Sequence, residues 1–303
     1  MITIIKRIET QIFPEDPIEP DEVIKKQLQI QLDPKELKLK GYVIYESDND
    51  NLIGYCFYGW FAEGSERAKG NEMISFIEIQ IDPKYRRKGI GGSVYDRFIP
   101  KLKEAGKKLV IINTIEPDGK SFLEKREFQF ALNQPIYRAK FADINWNMID
   151  TWMNEGQSNN PDTELRIYDT FPEDIVEEYS KTFTKTHEQI PRGELQMQDM
   201  EYTPDYLRES HEKVVSTGRT RLTAVALEKS GKVSGFTYLS YSPTREPIID
   251  QGLTAVLEGE RGRKLGKWLK AVMLLEAKSR YPNITEVQTD IATSNDPMIS
   301  INE

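Results

Sequence analysis

Residues 74–103 read ISFIEIQIDPKYRRKGIGGSVYDRFIPKLK. Ile77, Ile79 and Ile81 alternate with Phe76, Glu78 and Gln80, the period of two expected of a half-buried strand. Beyond the turn, Val94, Phe98, Ile99 and Leu102 recur at three-to-four spacing, which makes the apolar stripe of an amphipathic helix. Between strand and helix lies a short basic turn, Arg86-Arg87-Lys88-Gly89-Ile90-Gly91-Gly92. Its glycines let successive backbone N–H groups converge, and the helix N-terminus adds the positive end of a dipole. With three cations beside it, such a turn is an anion cradle whose natural guest is a phosphate. Two nucleotide signatures fail here. No lysine-hydroxyl pair follows the last glycine, and the third glycine of a dinucleotide fingerprint is replaced by Val94. A purely conformational role for the glycines, with solvated charges around them, stays open.

The design recurs. Residues 250–277, DQGLTAVLEGERGRKLGKWLKAVMLLEA, again give a strand, a basic turn and a helix striped by Leu265, Trp268, Leu269 and Val272. Ile81, Arg86 and Gly91 precede Val256, Arg261 and Gly266 by a constant 175 residues. Ahead of each copy stands a predicted hairpin, residues 41–61 turning at Asp48-Asn49-Asp50-Asn51 and residues 221–241 turning at Lys229-Ser230-Gly231-Lys232. Behind each helix comes a further strand, Leu109 to Asn113 and Val287 to Ile291, the β-α-β order of parallel neighbours. Helices are predicted at Asp21 to Leu32, Pro172 to Phe183, and from Thr203-Pro204-Asp205 to Gly218, the last with its N-cap, N1 proline and terminal glycine in place. Pro135 to Phe141 reads as a strand closing the first half, Ile144 to Met153 as a short helix, and NEGQSNNPD as a polar connector. The expectation is a duplicated α/β protein: a domain over 1–141, a helix and linker over 142–161, and a second domain over 162–303.

Composition narrows the function classes. The 303 residues carry a net charge of -8, which disfavours a broad nucleic-acid or anionic-membrane surface. No apolar run approaches the roughly 18–20 residues of a membrane helix, and MITIIKRIETQ does not resemble a secretory leader, so a cytoplasmic address is expected. The single cysteine, Cys56, lies in the aromatic run GYCFYGW and reads as a packed thiol. His187 begins HEQIP, without the second histidine of a zinc helix, and no metal is implied. Tyr55, Phe57, Tyr58, Trp60 and Phe61 read as strand core, with the lining of an acceptor cleft as the alternative. Phe183, His187, Glu188 and Glu194 read as a solvated loop-rich stretch.

Arg86-x-x-Gly89-x-Gly91, after Ile79-Gln80-Ile81-Asp82-Pro83 and before an amphipathic helix, resembles motif A of the GCN5-related N-acetyltransferases (GNAT), whose signature is Q/R-x-x-G-x-G/A. The resemblance implies tandem acyl-CoA N-acyltransferase domains, each a mixed, centrally splayed sheet flanked by helices. It implies that loop amides from Arg86, Arg87, Lys88, Gly89, Ile90, Gly91 and Gly92 hold the pyrophosphate of acetyl-CoA, while Ile79, Gln80 and Ile81, on a strand splayed at a bulge, face the pantetheine arm. In the second half the corresponding positions are Ala255, Val256, Arg261, Gly262, Arg263, Lys264, Leu265 and Gly266. Lys264 stands where the first motif glycine falls, expected either to impede close backbone approach or to bring a cation to a phosphate.

The family's closing segment is echoed by Glu116-x-x-Gly119-x-x-x-Leu123-Glu124-Lys125-Arg126-Glu127-Phe128, and by Asn295-x-x-Met298-x-x-x-Asn302-Glu303. Leu123 and Asn302 occupy the position of the tyrosine that protonates the departing thiolate in many members. Because the second echo stops early, a longer parent chain is expected. The resemblance points to transfer of an acetyl group from acetyl-CoA to the amine of a small acceptor by direct attack, with Glu78 as the candidate base. Its alternative is an acyl-CoA-binding or regulatory module without turnover. Neither the acceptor nor the oligomeric state follows from the sequence.

Overall fold

The structure is a computed structural model that describes residues 1–47 and 50–302, so Asp48 and Asn49 of the first predicted turn, and Glu303, lie outside the described residues. The chain divides into two units, 1–130 with 196–200, and 131–195 with 201–303. Each carries one sheet.

In the first unit, β1 (Leu37–Tyr45), β2 (Leu52–Phe61), β3 (Ile74–Ile81) and β4 (Leu109–Ile111) lie in that order. The first two pairings are antiparallel and β3–β4 is parallel. Alternation sorts the side chains by face. Cys56, Tyr58 and Ile77 pack against Phe98 and Leu102 of α3 (Ile90–Glu104), while Tyr55 and Phe57 meet Ile4 and Ile8 of α1 (Ile2–Ile12). α1 takes its apolar stripe from isoleucines one turn apart. α2 (Asp21–Gln31) follows it, and α4 (Pro117–Glu124) follows β4. Burial pushes the Cys56 thiol up to about 11, so it stays protonated in this core.

The second sheet has the order β5 (Ile136–Lys140), β10 (Glu286–Asp290), β9 (Ile248–Val256), β8 (Val233–Tyr241), β7 (Thr220–Glu228) and β6 (Thr163–Tyr168). α6 (Val176–His187) and α7 (Pro204–Ser216) cover one face, through Tyr179, Phe183 and Leu207. α8 (Leu265–Arg280) covers the other with Leu265, Trp268, Leu269 and Met273. α9 (Asp296–Asn302) ends the described chain.

Two sequence expectations change here. The strand over 135–141 does not close the first half: β5 pairs antiparallel along β10, Ile136 opposite Asp290 and Lys140 opposite Glu286. The predicted short helix is α5 (Trp146–Asn159), capped by the Asn145 side chain and running through most of the expected connector. Gly156 is the reason, since a Cβ there would lie 2.2 Å from the Trp268 ring; its absence lets α5 pack on α8. Residues 131–161 therefore group with the second unit and the boundary moves from 141 to about 130. Residues 196–200 group with the first, where Gln198 exchanges hydrogen bonds with the Asn71 side chain.

Both sheets are splayed at the same place. β3 pairs with β4 only over Ile74–Phe76, leaving that edge of its C-terminal half open, and β9 pairs with β10 only over Ile248–Asp250. The expected bulge is found in the second sheet, between Thr237 and Leu239 of β8 opposite β9; the β2–β3 pairing runs through without one.

Candidate active site

The open end of β3 leads into the turn singled out by the sequence. Asp82 caps the short 3-10 turn Pro83–Tyr85, accepting from the Lys84 N–H at 3.0 Å, and pairs with Arg7 of α1. Burial favours its neutral form, but the Lys84 N–H and Arg7 outweigh it and hold the carboxyl below the usual range. Arg86 is fixed twice, by Ile81 O at 3.0 Å and Glu116 at 2.8 Å. Arg87 reaches only to 3.5 Å from Asp118 at an exposed position, and Lys88 lies 4.9 Å from the centroid of the Tyr85 ring.

Gly89 sits at φ +81°, a left-handed conformation that glycine adopts without steric cost, and caps α3. The first bond into the helix is Ser93 N–H to Gly89 O at 3.0 Å, so the N–H groups of Ile90, Gly91 and Gly92 have no earlier helical carbonyl to meet. A Cβ on Gly89 would touch nothing within 4 Å, and one on Gly91 only Phe122, at 3.6 Å. The glycines thus keep open a space that converging donors face, and the residues present fit a diphosphate there.

Glu78 lies on the face of β3 under α1. It accepts from the Tyr55 hydroxyl at 3.1 Å and, more weakly, from Gln80 at 3.5 Å. Burial raises its pKa, and the two hydrogen bonds partly counter the shift. Tyr55 is shifted upward, by burial first and then by the Glu78 charge, and is a neutral phenol at any working pH. By sequence Tyr55 reads as strand core, with the lining of an acceptor cleft as the alternative. The register pairing Phe57 with Glu78 and Tyr55 with Gln80 shows it to be a cross-strand neighbour of the carboxylate. Ile77, on the opposite face, packs toward α3. A cleft of about 520 Å³ lies between α1 and the Asp82–Lys84 turn, and Glu78 does not line it.

The second turn repeats the first as backbone. Arg261 has φ -68° and ψ 162°, against -68° and 166° at Arg86. Left-handed residues follow at Gly262 (φ +83°) and Lys264 (φ +64°), the equivalents of Arg87 (φ +62°) and Gly89. Lys264 N-caps α8 as Gly89 does α3, so the lysine does not distort the turn. Its side chains differ. Arg261 bonds Gln189 at 2.7 Å, Lys264 pairs with Glu155 at 2.8 Å, and Arg263 turns inward to Asn160, Thr163, Glu228 and Glu260. Ala255 and Val256 precede this turn on β9, and a Cβ on Gly266 would meet Ile301 at 3.7 Å. Leu253 takes the place of Glu78 and packs into the apolar cluster under α6 and α7.

Of the stretch read as a loop, His187 is the last residue of α6: the imidazole stacks on Phe183, with Nδ1 3.1 Å from the Tyr202 hydroxyl, and burial pushes it down to about 4. Leu123 carries no proton to give.

Residues 3–128 match the model of the Acetyltransferase (GNAT) family. Among curated proteins none matches the chain. Solved structures with the same fold include a tandem GNAT protein from the clavulanic acid biosynthesis pathway, with TM-score 0.73, 15% identity, and 99% of this chain covering 89% of that one. A glucosamine N-acetyltransferase region of a fungal β-N-acetylglucosaminidase gives TM-score 0.61 at 15% identity, over 99% of this chain and 35% of that one. A GCN5-related N-acetyltransferase from Sphaerobacter thermophilus gives 0.56 at 10%, over 88% and 76%. The class is thus an α/β protein of two GNAT-type units. The family match spans the first unit, and over its full length the chain shares the fold of a tandem GNAT protein.

Proposed function

We propose that the protein transfers an acetyl group from acetyl-CoA to the amine of a small acceptor, with the first unit holding the cofactor. The observation that carries this reading is the 86–92 turn, with unmet helix N–H groups, cationic side chains and an open space above Gly89 and Gly91. Arg86, Arg87, Lys88, Gly89, Ile90, Gly91 and Gly92 would hold the pyrophosphate, and the open edge over Ile79, Gln80 and Ile81 would face the pantetheine arm. Acetyl-CoA supplies an activated thioester when bound.

Glu78 takes a proton from the attacking amine, and its half-buried position keeps the carboxyl nearer the operating pH than a solvated glutamate would be. The Tyr55 hydroxyl orients that carboxylate. In the second unit, Arg261, Gly262, Arg263, Lys264, Leu265 and Gly266 form a weaker copy, because its cations are held by neighbouring side chains. Leu123 at the family's tyrosine position favours the second reading, an acyl-CoA-binding module without turnover.

Thiol release from acetyl-CoA, measured against a panel of small amines, separates the two. Amine-dependent release is expected. Binding without release under any amine would leave the binding module, and absence of binding would remove both.

A further inference from the structure

β7 reads TRLTAVALE, and strand alternation divides it cleanly. Leu222, Ala224 and Ala226 face α8, while Val225 and Leu227 join the aromatic cluster under α6 and α7. Arg221 and Thr223 fall in the second of these rows. A cation therefore occupies a row that continues through Thr223 into the buried apolar side chains of Val225 and Leu227.

Arg221 is poorly provided for there. Its guanidinium lies 4.8 Å from the centroid of the Tyr238 ring, and its buried Nε has no hydrogen-bond acceptor among the described residues. The adjacent Arg219 and Arg245 both pair with Asp250; among the described residues no carboxylate pairs with Arg221. Beside it is a cavity of about 80 Å³, lined on its polar side by Ser210, His211, Arg221 and Thr223 and walled by rings that include Phe171 and Tyr179. No acidic residue lines it. Burial, and then the charge of Arg221, hold the His211 imidazole below its usual range, so at neutral pH the cavity has one positive charge and no negative one.

We propose that this cavity binds a small monocarboxylate, whose oxygens accept from Arg221 and whose carbon end lies against the aromatic wall. One planar guanidinium matches one carboxylate in charge and in fork geometry. A phosphate dianion would bring more charge than a single arginine balances. At roughly 30 Å³ per water, the volume holds a ligand of about acetate size. Every lining residue belongs to the second unit, so the site does not depend on the acetyl-CoA reading of the first.

The test is titration of the full chain with sodium acetate at fixed ionic strength, followed by calorimetry and by the carbon-13 resonance of labelled acetate. Acetamide, the neutral isostere, and inorganic phosphate are run beside it. Saturable one-to-one acetate binding is expected, with none for acetamide and weaker binding for phosphate. Arg221→Gln should weaken acetate at least tenfold. Ser210→Leu, which fills the cavity from α7 and leaves Arg221 in place, should do the same with an unchanged melting temperature, and so reads the site even if Arg221→Gln folds poorly. Indistinguishable responses to acetate and acetamide, tighter binding of phosphate, no saturation up to tens of millimolar, or unaltered acetate binding in Ser210→Leu would each overturn the proposal.

Discussion

The turns at 86–92 and 261–267 follow one backbone path and use their side chains differently. Both place a residue of extended conformation first, then left-handed residues at the second and fourth positions. Glycine supplies the fourth in one turn and the second in the other, while Arg87 and Lys264 accept a positive φ at the remaining two. In the first turn Arg87 and Lys88 stay near the surface and close to the glycine space. In the second, Arg263 ties α5, β6 and β7 together and Lys264 pairs with α5. A similar divergence separates Tyr55 and Glu78 from their counterparts Phe236 and Leu253, which lie in the apolar cluster. The two turns share a conformation and differ in what their side chains hold, the second unit having taken Arg263, Lys264 and the counterpart of Glu78 into contacts of its own.

That contrast is breakable at several points. The largest effect is expected from Glu78→Gln, which should lower kcat by roughly 10²–10⁴-fold with little change in acetyl-CoA affinity. In the unaltered protein kcat should fall as pH drops through the raised Glu78 value, because the base must be ionised. Turnover unchanged by the substitution between pH 6 and 9, a span of about three units, would remove Glu78 as the base.

Arg263→Ala should destabilise the second unit by about 1–3 kcal/mol, lowering its melting temperature by a few degrees, since Glu228 and Glu260 lose their shared cation. Glu228 is held below the usual range: burial acts against the charge, but Arg263, Ser234 and Thr163 outweigh it. The stabilisation is therefore complete at neutral pH and is lost as pH falls through the ordinary glutamate value, about 4.3, toward the lower folded one. Acid titration of the melting temperature should show this loss in the parent and a smaller one in Arg263→Ala, where Ser234 and Thr163 still bond Glu228. Acetyl-CoA affinity should be unaffected.

Tyr55→Phe should move the acidic limb of the kcat profile upward, by up to about one pH unit, because the hydroxyl stabilises the Glu78 carboxylate. An unmoved limb would separate the two residues functionally. The smallest effect belongs to Lys264→Gly. Relief of the left-handed φ stabilises by about 1 kcal/mol and loss of the exposed pair with Glu155 offsets part of it, so the melting temperature should hold or rise slightly.

Much of the fold was legible because its signals are local. Alternation in β3, the helical stripe of α3 and the spacing of the two turns need no distant partner, and the duplication follows from them. What the sequence hid depends on distant contacts. β5 has the pattern of a strand, but only its pairing with β10 assigns it to the second unit. α5 passes through a glycine-rich polar stretch because Gly156 admits the Trp268 ring. The turn residues were readable, yet lysine at 264 left two readings open, an impeded backbone or a cation for a phosphate, since one-letter code does not show that a non-glycine residue has accepted φ +64°. Glu78 stood out on its strand, whereas its hydrogen bond to Tyr55 required the register between two strands.

We propose the first turn, and not its copy, as the principal acyl-CoA cradle. Calorimetry of acetyl-CoA binding to Gly91→Val and to the equivalent Gly266→Val tests it most directly. The expected result is a loss of about 100-fold or more in affinity for Gly91→Val, where only Phe122 now stands near the new side chain, and near-parental affinity for Gly266→Val. Parental affinity in Gly91→Val, with binding lost in Gly266→Val, would contradict the account.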